Sequence, residues 1–441
     1  MRYCLNIHTF ANKQNHQIFN NMKRNTLLFA AALLIGLTGC KNTSIQEEAW
    51  MDNALDAASY QLKLTAEELS GTGKLPRSIY SGYDVNFLDM QLQREDKSYI
   101  DSLHPNPPAL QLGQRYLCSI YDWTSGFFPG SLWYAYEMTG DEELKNRAIE
   151  YTNLLNPIRE LKGTHDIGFM MNCSYGNALR LAPNDTIKAV LIETADNLCS
   201  RFNPEIGCIR SWDFGDWNFP VIIDNMMNLD LLFNVAKLTG DNKYKDIAVK
   251  HAQTTMKNHF RPDYTSYHVV SYNNDGSVEV KQTHQGKNAE SAWSRGQAWG
   301  VYGYTSCYRE TQDVTFLQEA VHIADMIMER VKTDDLIPYW DYDAPAGEKT
   351  PRDASAAAIT ASAFLELSTF VPDGKKYADY AETILKSLSG PGYLSAKGSN
   401  QGYVLMHSTG SLPHGSEIDV PLNYADYYYL EAMKRYMDRH Q

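Results

Sequence analysis

Basic charge is in short supply in this 441-residue chain: 40 Lys and Arg stand against 53 Asp and Glu, a formal net charge of −13. Phosphate binding needs clustered cations, so the deficit argues against a nucleic-acid partner. Any anionic ligand must be met by a few local cations that override the overall field. Cysteine is sparse too. Of seven, Cys4 and Cys40 lie near the N-terminus, and Cys118, Cys173, Cys199, Cys208 and Cys307 remain. An odd number without CxxC pairs gives neither a disulfide framework nor a zinc site, so these read as small buried hydrophobes. HExxH, the GxSxG nucleophile elbow, the P-loop and the dinucleotide fingerprint are all missing. Histidines are scattered, and we expect no metal and no cofactor. Past residue 39 no apolar run approaches the roughly 20 residues that span a membrane, which predicts a soluble body.

One short apolar run is present. From Met22 the chain reads Lys23, Arg24, an apolar stretch from Leu27 to Leu37, then Leu37-Thr38-Gly39-Cys40. A charged start, a short apolar stretch and a small-residue cleavage site make up a secretory signal peptide. The last four residues resemble the bacterial lipobox, in which Cys40 is lipidated and becomes the first mature residue. The expectation is an exported protein, lipid-anchored to the cell envelope and touching the membrane only through that anchor. Residues 1–21 carry no export logic, and Met22 reads as the natural start. Loss of residues 1–39 removes Arg2, Lys13, Lys23 and Arg24 and no acid, taking the net charge from −13 to −17. The expected organisation is a signal segment over 1–39 and a single catalytic domain over 40–441.

Five polar turns share one grammar: Thr139-Gly140-Asp141, Pro183-Asn184-Asp185, Thr239-Gly240-Asp241, Thr311-Gln312-Asp313 and Pro372-Asp373-Gly374. Each separates two amphipathic helical patterns. Gly ends a helix in left-handed geometry, and Asp caps the next by accepting its free N–H groups. A further helix is predicted from about Ile45 to Leu69. Helical hairpins recurring every 45 to 70 residues or so mean a helical array, open or closed. Variable intervals and long aromatic loops favour closure. The predicted fold is all-α, an (α/α)6 barrel of six hairpins with its site in the funnel at one end. Short strands are expected in the insert Tyr267 to Val280, where Asn274-Asp275-Gly276 is a hairpin turn.

Four loops mix Trp, carboxylates, His and Gly in ways that packing alone does not require. The run from Tyr121 to Gly130 places Trp123 beside Asp122; sugars, with apolar C–H faces edged by hydroxyls, suit such pairs. The second loop is Thr164-His165-Asp166-Ile167-Gly168-Phe169. The third runs from Arg210 through Trp212 to Asp224 and Asn228, one helical turn apart on an otherwise apolar segment. Charged residues are rarely buried unless paired or functional. Burial disfavours the ionised form and would keep Asp224 protonated for acid catalysis; Asp224 also reads as an N-cap, and the two are compatible. The fourth is Thr283-His284-Gln285-Gly286 followed by Trp293-Ser294-Arg295-Gly296-Gln297-Ala298-Trp299-Gly300. Arg295 can grip a carboxylate bidentately, and a helix is expected to begin near Gly296.

Taken in order, His165 to Phe169, Ile223 to Asn228, Thr283 to Gly286 and Trp293 to Gly300, with Pro351 to Ala357 and Ser416 to Leu422, resemble glycoside hydrolase family 88, the unsaturated glucuronyl hydrolases. The resemblance runs from about Trp123 to Tyr429 and implies the same (α/α)6 barrel. It further implies removal of a 4,5-unsaturated uronic acid from lyase-generated oligosaccharides by hydration of the C4=C5 bond. Matched by motif, Asp224 becomes the general acid/base. Asp166 becomes a second carboxylate that orients ring hydroxyls and raises the Asp224 pKa by like-charge proximity. His165, His284 and Gln285 line the subsite, Arg295 meets the substrate carboxylate, and Trp123, Trp212, Trp293 and Trp299 form walls. Two other readings are an unsaturated rhamnogalacturonyl hydrolase on the same fold and a non-catalytic glycan-binding lipoprotein. The identity of the leaving sugar and the oligomeric state are not legible.

Overall fold

Three of the five polar turns turn out to be one hydrogen-bonding device. The Asp141 amide donates to Thr139 Oγ1 at 3.2 Å, and Asp141 Oδ1 accepts the Glu143 N–H at 2.9 Å. The scheme recurs at Thr239–Asp241 and at Thr311–Asp313. Gly140 and Gly240 carry the left-handed φ of 70° and 73° between the two helices. Gln312 adopts it at φ 58°, which costs a residue with a Cβ about 1–2 kcal/mol. The other two turns differ from expectation. Asn184, not Asp185, caps its helix through Ile187 N–H, and Gly374 stands at the start of its helix without a side-chain cap. A Cβ at Gly374 would collide with the Ser368 carbonyl, so close approach selects glycine there.

The computed structural model describes residues 49–81, 90–92 and 112–440. The chain divides into residues 1–53, of which 49–53 are described and helical, and residues 54–441. The signal segment, Cys40 and the boundary at residue 39 lie outside the described residues. The larger unit opens with a helix over 54–69, here α1. It continues through α2 Phe127–Thr139, α3 Glu142–Leu154, α4 Ile167–Met171, α5 Asn177–Leu181, α6 Asp185–Cys199, α7 Asn225–Thr239 and α8 Asn242–His259. Then follow α9 Ser294–Thr311, α10 Val314–Arg330, α11 Ala354–Leu367, α12 Lys375–Leu388 and α13 Asn423–His440. A π-helical turn, Asn172–Gly176, joins α4 to α5.

Alternate helices form a closed inner ring. The α4/α5 pair packs on α2 and α7, α7 on α9, α9 on α11, α11 on α13, and α13 returns to α2. Outside it, α3, α6, α8, α10 and α12 each pack on the inner helix of their own hairpin. Tyr151 Oη in α3 donates to the Ala66 carbonyl of α1, so α1 is the sixth outer helix. The inner helices are buried nearly all round, as in the alanine-rich α11, whereas α10 and α12 keep one polar face. A helix apolar on every side can only live inside a layer of others. The fold is the predicted (α/α)6 barrel.

Short sheets decorate the ring. They comprise β1 Leu75–Ile79 with β2 Arg115–Cys118, β3 Phe202–Asn203 with β4 Cys208–Ile209, and β8 Ser408–Ser411 with β9 Ser416–Val420. The expected hairpin in the insert is β6 Val269–Tyr272 with β7 Val278–Gln282, turning at Gly276 with φ 80°. A third strand, β5 Pro220–Ile222, pairs with β6 and has no counterpart in the expectation. The five described cysteines are free, four of them buried. Among the described residues no helix is long and apolar enough to cross a membrane.

Candidate active site

Strand β5 runs straight into α7, and Asp224 sits at the junction. Its backbone is helical and its side chain makes no cap bond, so the N-cap reading falls away and the carboxylate is free for other work. It is 7 % exposed. Pairing of β5 with β6 ends where the Ile223 N–H donates to the His268 carbonyl, and that register brings His268 opposite Asp224. His268 Nδ1 accepts two backbone N–H groups, from His284 at 3.0 Å and Gln285 at 3.1 Å. A nitrogen that accepts twice carries no proton, so the ring's hydrogen is on Nε2. That Nε2 lies 3.5 Å from Asp224 Oδ2. Both atoms are buried and neither has a hydrogen-bond partner among the described residues.

Asp166 approaches from the loop before α4. The Thr164 hydroxyl donates to its Oδ2 at 2.7 Å, and His165 Nε2 stands 3.2 Å from its Oδ1. About a fifth of the Asp166 side chain, 21 %, stays open. Asn228, one turn beyond Asp224, fastens this loop. Its Oδ1 accepts the Phe169 N–H at 2.7 Å, and its Nδ2 faces His165 Nδ1 at 3.4 Å. A Cβ at Gly168 would lie 2.7 Å from Asn228 Cα, so only glycine lets the two segments meet. The Asp224–Asn228 spacing thus reflects one helix face carrying both an acid and the anchor for a second acid.

The carboxylates are tuned oppositely to expectation. Burial pushes Asp224 up, but His268, His165 and Arg295 together hold it below the ordinary carboxylate range. Asp166 is raised, by burial first and then by the like charge of Asp224. In the free site, then, the proton is held more tightly by Asp166, and like-charge proximity acts on Asp166 more than it does on Asp224.

Arg295 lies inside the first turn of α9, which starts at Ser294, two residues before the expected Gly296. It is buried, donating from Nη1 to Asp353 Oδ2 at 2.8 Å and to the Thr409 carbonyl at 2.7 Å, and from Nη2 to the Gly410 carbonyl. Its guanidinium lies over Trp293 at 4.5 Å and Tyr424 at 5.3 Å. With three of five donors engaged, Nε–H and one Nη2–H remain. Gln285 Nε2 also donates to the Gly410 carbonyl, at 3.3 Å.

The tryptophans divide. Trp293 lies against His268 with centroids 4.6 Å apart and the rings tilted by 42°. Trp123 leans on Phe169 at 5.6 Å and Tyr424 at 5.0 Å and is partly open. Trp212 stacks on Phe214 at 4.7 Å and meets His284 at 5.3 Å. Trp299 is a correction. It is fully buried behind Phe169 and against Tyr428, and lines no wall because its position on α9 faces the barrel core. His284 is enclosed by Trp212, Phe214, Trp217 and His414, and burial followed by the neighbouring His414 and His268 pushes its pKa down to about 3.

Sequence reasoning misses His268, the exposed Phe214, and the Glu417–Arg77–Asp122 cluster. His268 has one available signal: a histidine opening the valine-rich strand of the insert, where alternation leaves one polar group facing inward. Among the described residues no group of three or more His, Cys, Asp or Glu could hold a metal.

A closed helical barrel with two unequal carboxylates under an aromatic rim defines a carbohydrate-active enzyme. The chain belongs to Glycosyl Hydrolase Family 88, whose sequence profile matches residues 113–438. Residues 22–94 match a separate domain of unknown function. The chain is 49 % identical over 319 residues to an unsaturated glucuronyl hydrolase of Formosa agariphila, covering 71 % of this chain and 80 % of that one. It is 32 % identical over 333 residues to an unsaturated chondroitin disaccharide hydrolase of Streptococcus agalactiae, covering 71 % and 81 %. A crystal structure of an unsaturated glucuronyl hydrolase specific for heparin superposes with a TM-score of 0.80 at 47 % identity, covering 89 % of this chain and 98 % of that one.

Proposed function

We propose that this glycoside hydrolase removes the 4,5-unsaturated uronic acid from the non-reducing end of glycosaminoglycan-type oligosaccharides by hydrating the C4=C5 bond. The observation that carries the reading is the Asp224–His268 pair, set by the β5–β6 register, with the buried cation Arg295 acting on the same acid. Protonated Asp224 delivers its proton to C4. The positive charge left at C5 is relieved by the ring oxygen and then quenched by water, whose proton returns to the Asp224 carboxylate. The resulting hemiketal opens by breaking the bond between C5 and the ring oxygen, which leaves a ketone at C5 and a hemiacetal at C1. Collapse of that hemiacetal to the aldehyde breaks the bond to the leaving sugar, and Asp224 is again in its acid form.

Arg295 is held too firmly to swing out as a free clamp, so it meets the uronate carboxylate with the two hydrogens it retains. That contact also answers the low proton affinity of Asp224 in the free site. An anion beside Arg295 offsets part of the pull that lowers the Asp224 pKa, so substrate binding favours the acid form needed for the first step. Asp166 orients ring hydroxyls, and His165 holds it. Trp123, Trp212 and Trp293 pack against sugar faces; His284 and Gln285 line the subsite and fix the His268 tautomer through their amides.

The test follows ultraviolet absorbance of the enol ether while purified protein meets unsaturated disaccharides from heparin, chondroitin and hyaluronan, heparin first because of the solved relative. Wild type should bleach the band on at least one of them, and Asp224→Asn should slow it by about 10³-fold or more. No loss on any of the three sinks the reading. Neither a rhamnogalacturonyl substrate nor binding without turnover is favoured by any feature of the site. We further propose export and anchoring through Cys40, supported by the lipobox resemblance alone.

A further inference from the structure

The segment over 22–94 that matches a domain of unknown function lies outside the family 88 match, yet it places one charged side chain between two loops that flank the candidate site. Strand β1 pairs with β2 in register at Pro76 and again at Ser78, with a shift between them. Such a bulge re-aims the extra residue, and that residue is Arg77. Its Nε and Nη2 donate to Glu417 Oε1 at 2.7 Å and Oε2 at 3.2 Å, and its Nη1 donates to Asp122 Oδ2 at 2.5 Å. The guanidinium lies 5.3 Å from the Tyr116 ring centroid.

Each carboxylate leads to one wall of the uronate pocket. Glu417 sits on β9 with a left-handed φ of 57°, a strained setting for a side chain that the surroundings must enforce. Gly410 faces it on β8, where a Cβ would come within 2.5 Å of Glu417 Oε2. The Gly410 carbonyl is the acceptor shared by Arg295 and Gln285. On the other side, Asp122 Oδ1 accepts the Thr124 N–H at 2.9 Å and its hydroxyl at 2.7 Å. That turn presents Trp123 against Phe169, three residues after Asp166. Burial works against the charge on Arg77, but Glu417 and Asp122 hold its pKa well above the ordinary value.

We propose that Arg77 is a positioning residue of the hydrolase, bracing the Trp123 wall and the Gly410 wall at once, so that the stretch which supplies α1 and β1 to the barrel also shapes the substrate pocket. The inference rests on the hydrolase reading above. The segment is tied to the barrel by other bonds that do not involve Arg77. Gln61 Nε2 donates to the Ser399 and Tyr403 carbonyls, Thr65 to the Gly402 carbonyl, and Tyr403 Oη to the Ser78 carbonyl. Those bonds serve the fold, whereas Arg77 spans the two walls.

The experiment compares KM, kcat and Tm for wild type, Arg77→Lys, the charge-neutral pair Arg77→Gln/Glu417→Gln, and Gln61→Ala, on whichever unsaturated disaccharide the wild type turns over. Walls that bind substrate and transition state alike act on KM with little change in kcat. The neutral pair should raise KM about tenfold. Arg77→Lys keeps the charge but not the three-point fork, and should raise KM by a smaller factor with Tm near wild type. Gln61→Ala should lower Tm and leave KM alone. A wild-type KM in folded Arg77→Lys and in the neutral pair overturns the proposal, as does a KM rise of equal size in Gln61→Ala. Should the neutral pair fail to fold, Arg77→Lys decides by the same criterion. No turnover by the wild type sinks the hydrolase reading and this one with it, whereas turnover with unchanged KM in the variants sinks this one alone.

Discussion

His268 Nε2 points at Asp224 Oδ2 across 3.5 Å, and its direction is set by the backbone amides of two residues that the sequence singles out only for their side chains. The His284 and Gln285 amides make Nδ1 an acceptor and so force Nε2 to be the donor. A proton donor aimed at one oxygen of a buried acid leaves the other oxygen for chemistry and lowers the acid's pKa.

Removing that donor should therefore move the pH profile. In His268→Phe the largest lowering influence on Asp224 is gone and burial acts with less opposition. The Asp224 pKa rises, and the acid form persists to higher pH. We expect the alkaline limb of kcat/KM against pH to shift upward. Peak activity should fall about 10²-fold because the carboxyl is no longer oriented. A variant with an unchanged profile and undiminished rate would show that His268 does not act on the acid.

Gly168 gives a purely steric prediction. In Gly168→Ala the new methyl meets Asn228 side chain and backbone, in a segment that has nowhere to move because Phe169 packs on Trp123, Phe127 and Trp299. Overpacking of this kind costs about 1–3 kcal/mol. Asp166 and His165 sit on the displaced loop, so activity should fall more than stability does. Thermal melting together with kcat separates the two, and a fully active Gly168→Ala would mean that the loop geometry is not catalytic.

The six-hairpin barrel can be read from the sequence because its instructions are local: Thr-Gly-Asp fixes a left-handed residue, a cap and a chain reversal within three positions. Asp224 and Asp166 can be read because a carboxylate in an apolar run, or beside His and Gly in a loop, contradicts its neighbours. The proton affinities cannot. They depend on the His268–Asp224 distance, which follows from a strand pairing whose nearest partners, Ile222 and Val269, are far apart in sequence, and on His165 and Arg295, which arrive from a loop and from a helix. Trp299 misleads for a related reason. A Trp four residues beyond Arg295 lies on the same helix as the site, but which way it faces depends on how α9 is rotated against α4 and α13. Arg77 lies too far from any motif to be singled out.

Replacement of the lipobox cysteine tests the proposed location. Cys40→Ser removes the thiol that lipidation needs, so the expressed protein should leave the membrane fraction and appear in soluble fractions with its specific activity intact. Unchanged partitioning of Cys40→Ser would count against the anchor.

Stability should depend on pH through Glu319, far from the chemistry on α10. This carboxyl is buried, and burial alone raises its pKa to about 7 from an ordinary 4.5. For an acid whose pKa is raised by folding, the folded state holds the proton more tightly than the unfolded chain. Its favourable contribution is therefore complete below about pH 4.5 and is lost as pH climbs through 7. Above that, the ionised carboxylate is held in the fold at a cost of at most about 3.5 kcal/mol, since each tenfold change in proton affinity is worth about 1.4 kcal/mol and solvent screening of this partly open group reduces the sum. Glu319→Gln cannot ionise and should escape the loss. Its melting temperature should match wild type at pH 4.5 and exceed it by several degrees at pH 8, a size expected for a domain this large. Calorimetry at the two pH values decides: an equal difference at both would place the effect of the substitution in packing, not in charge.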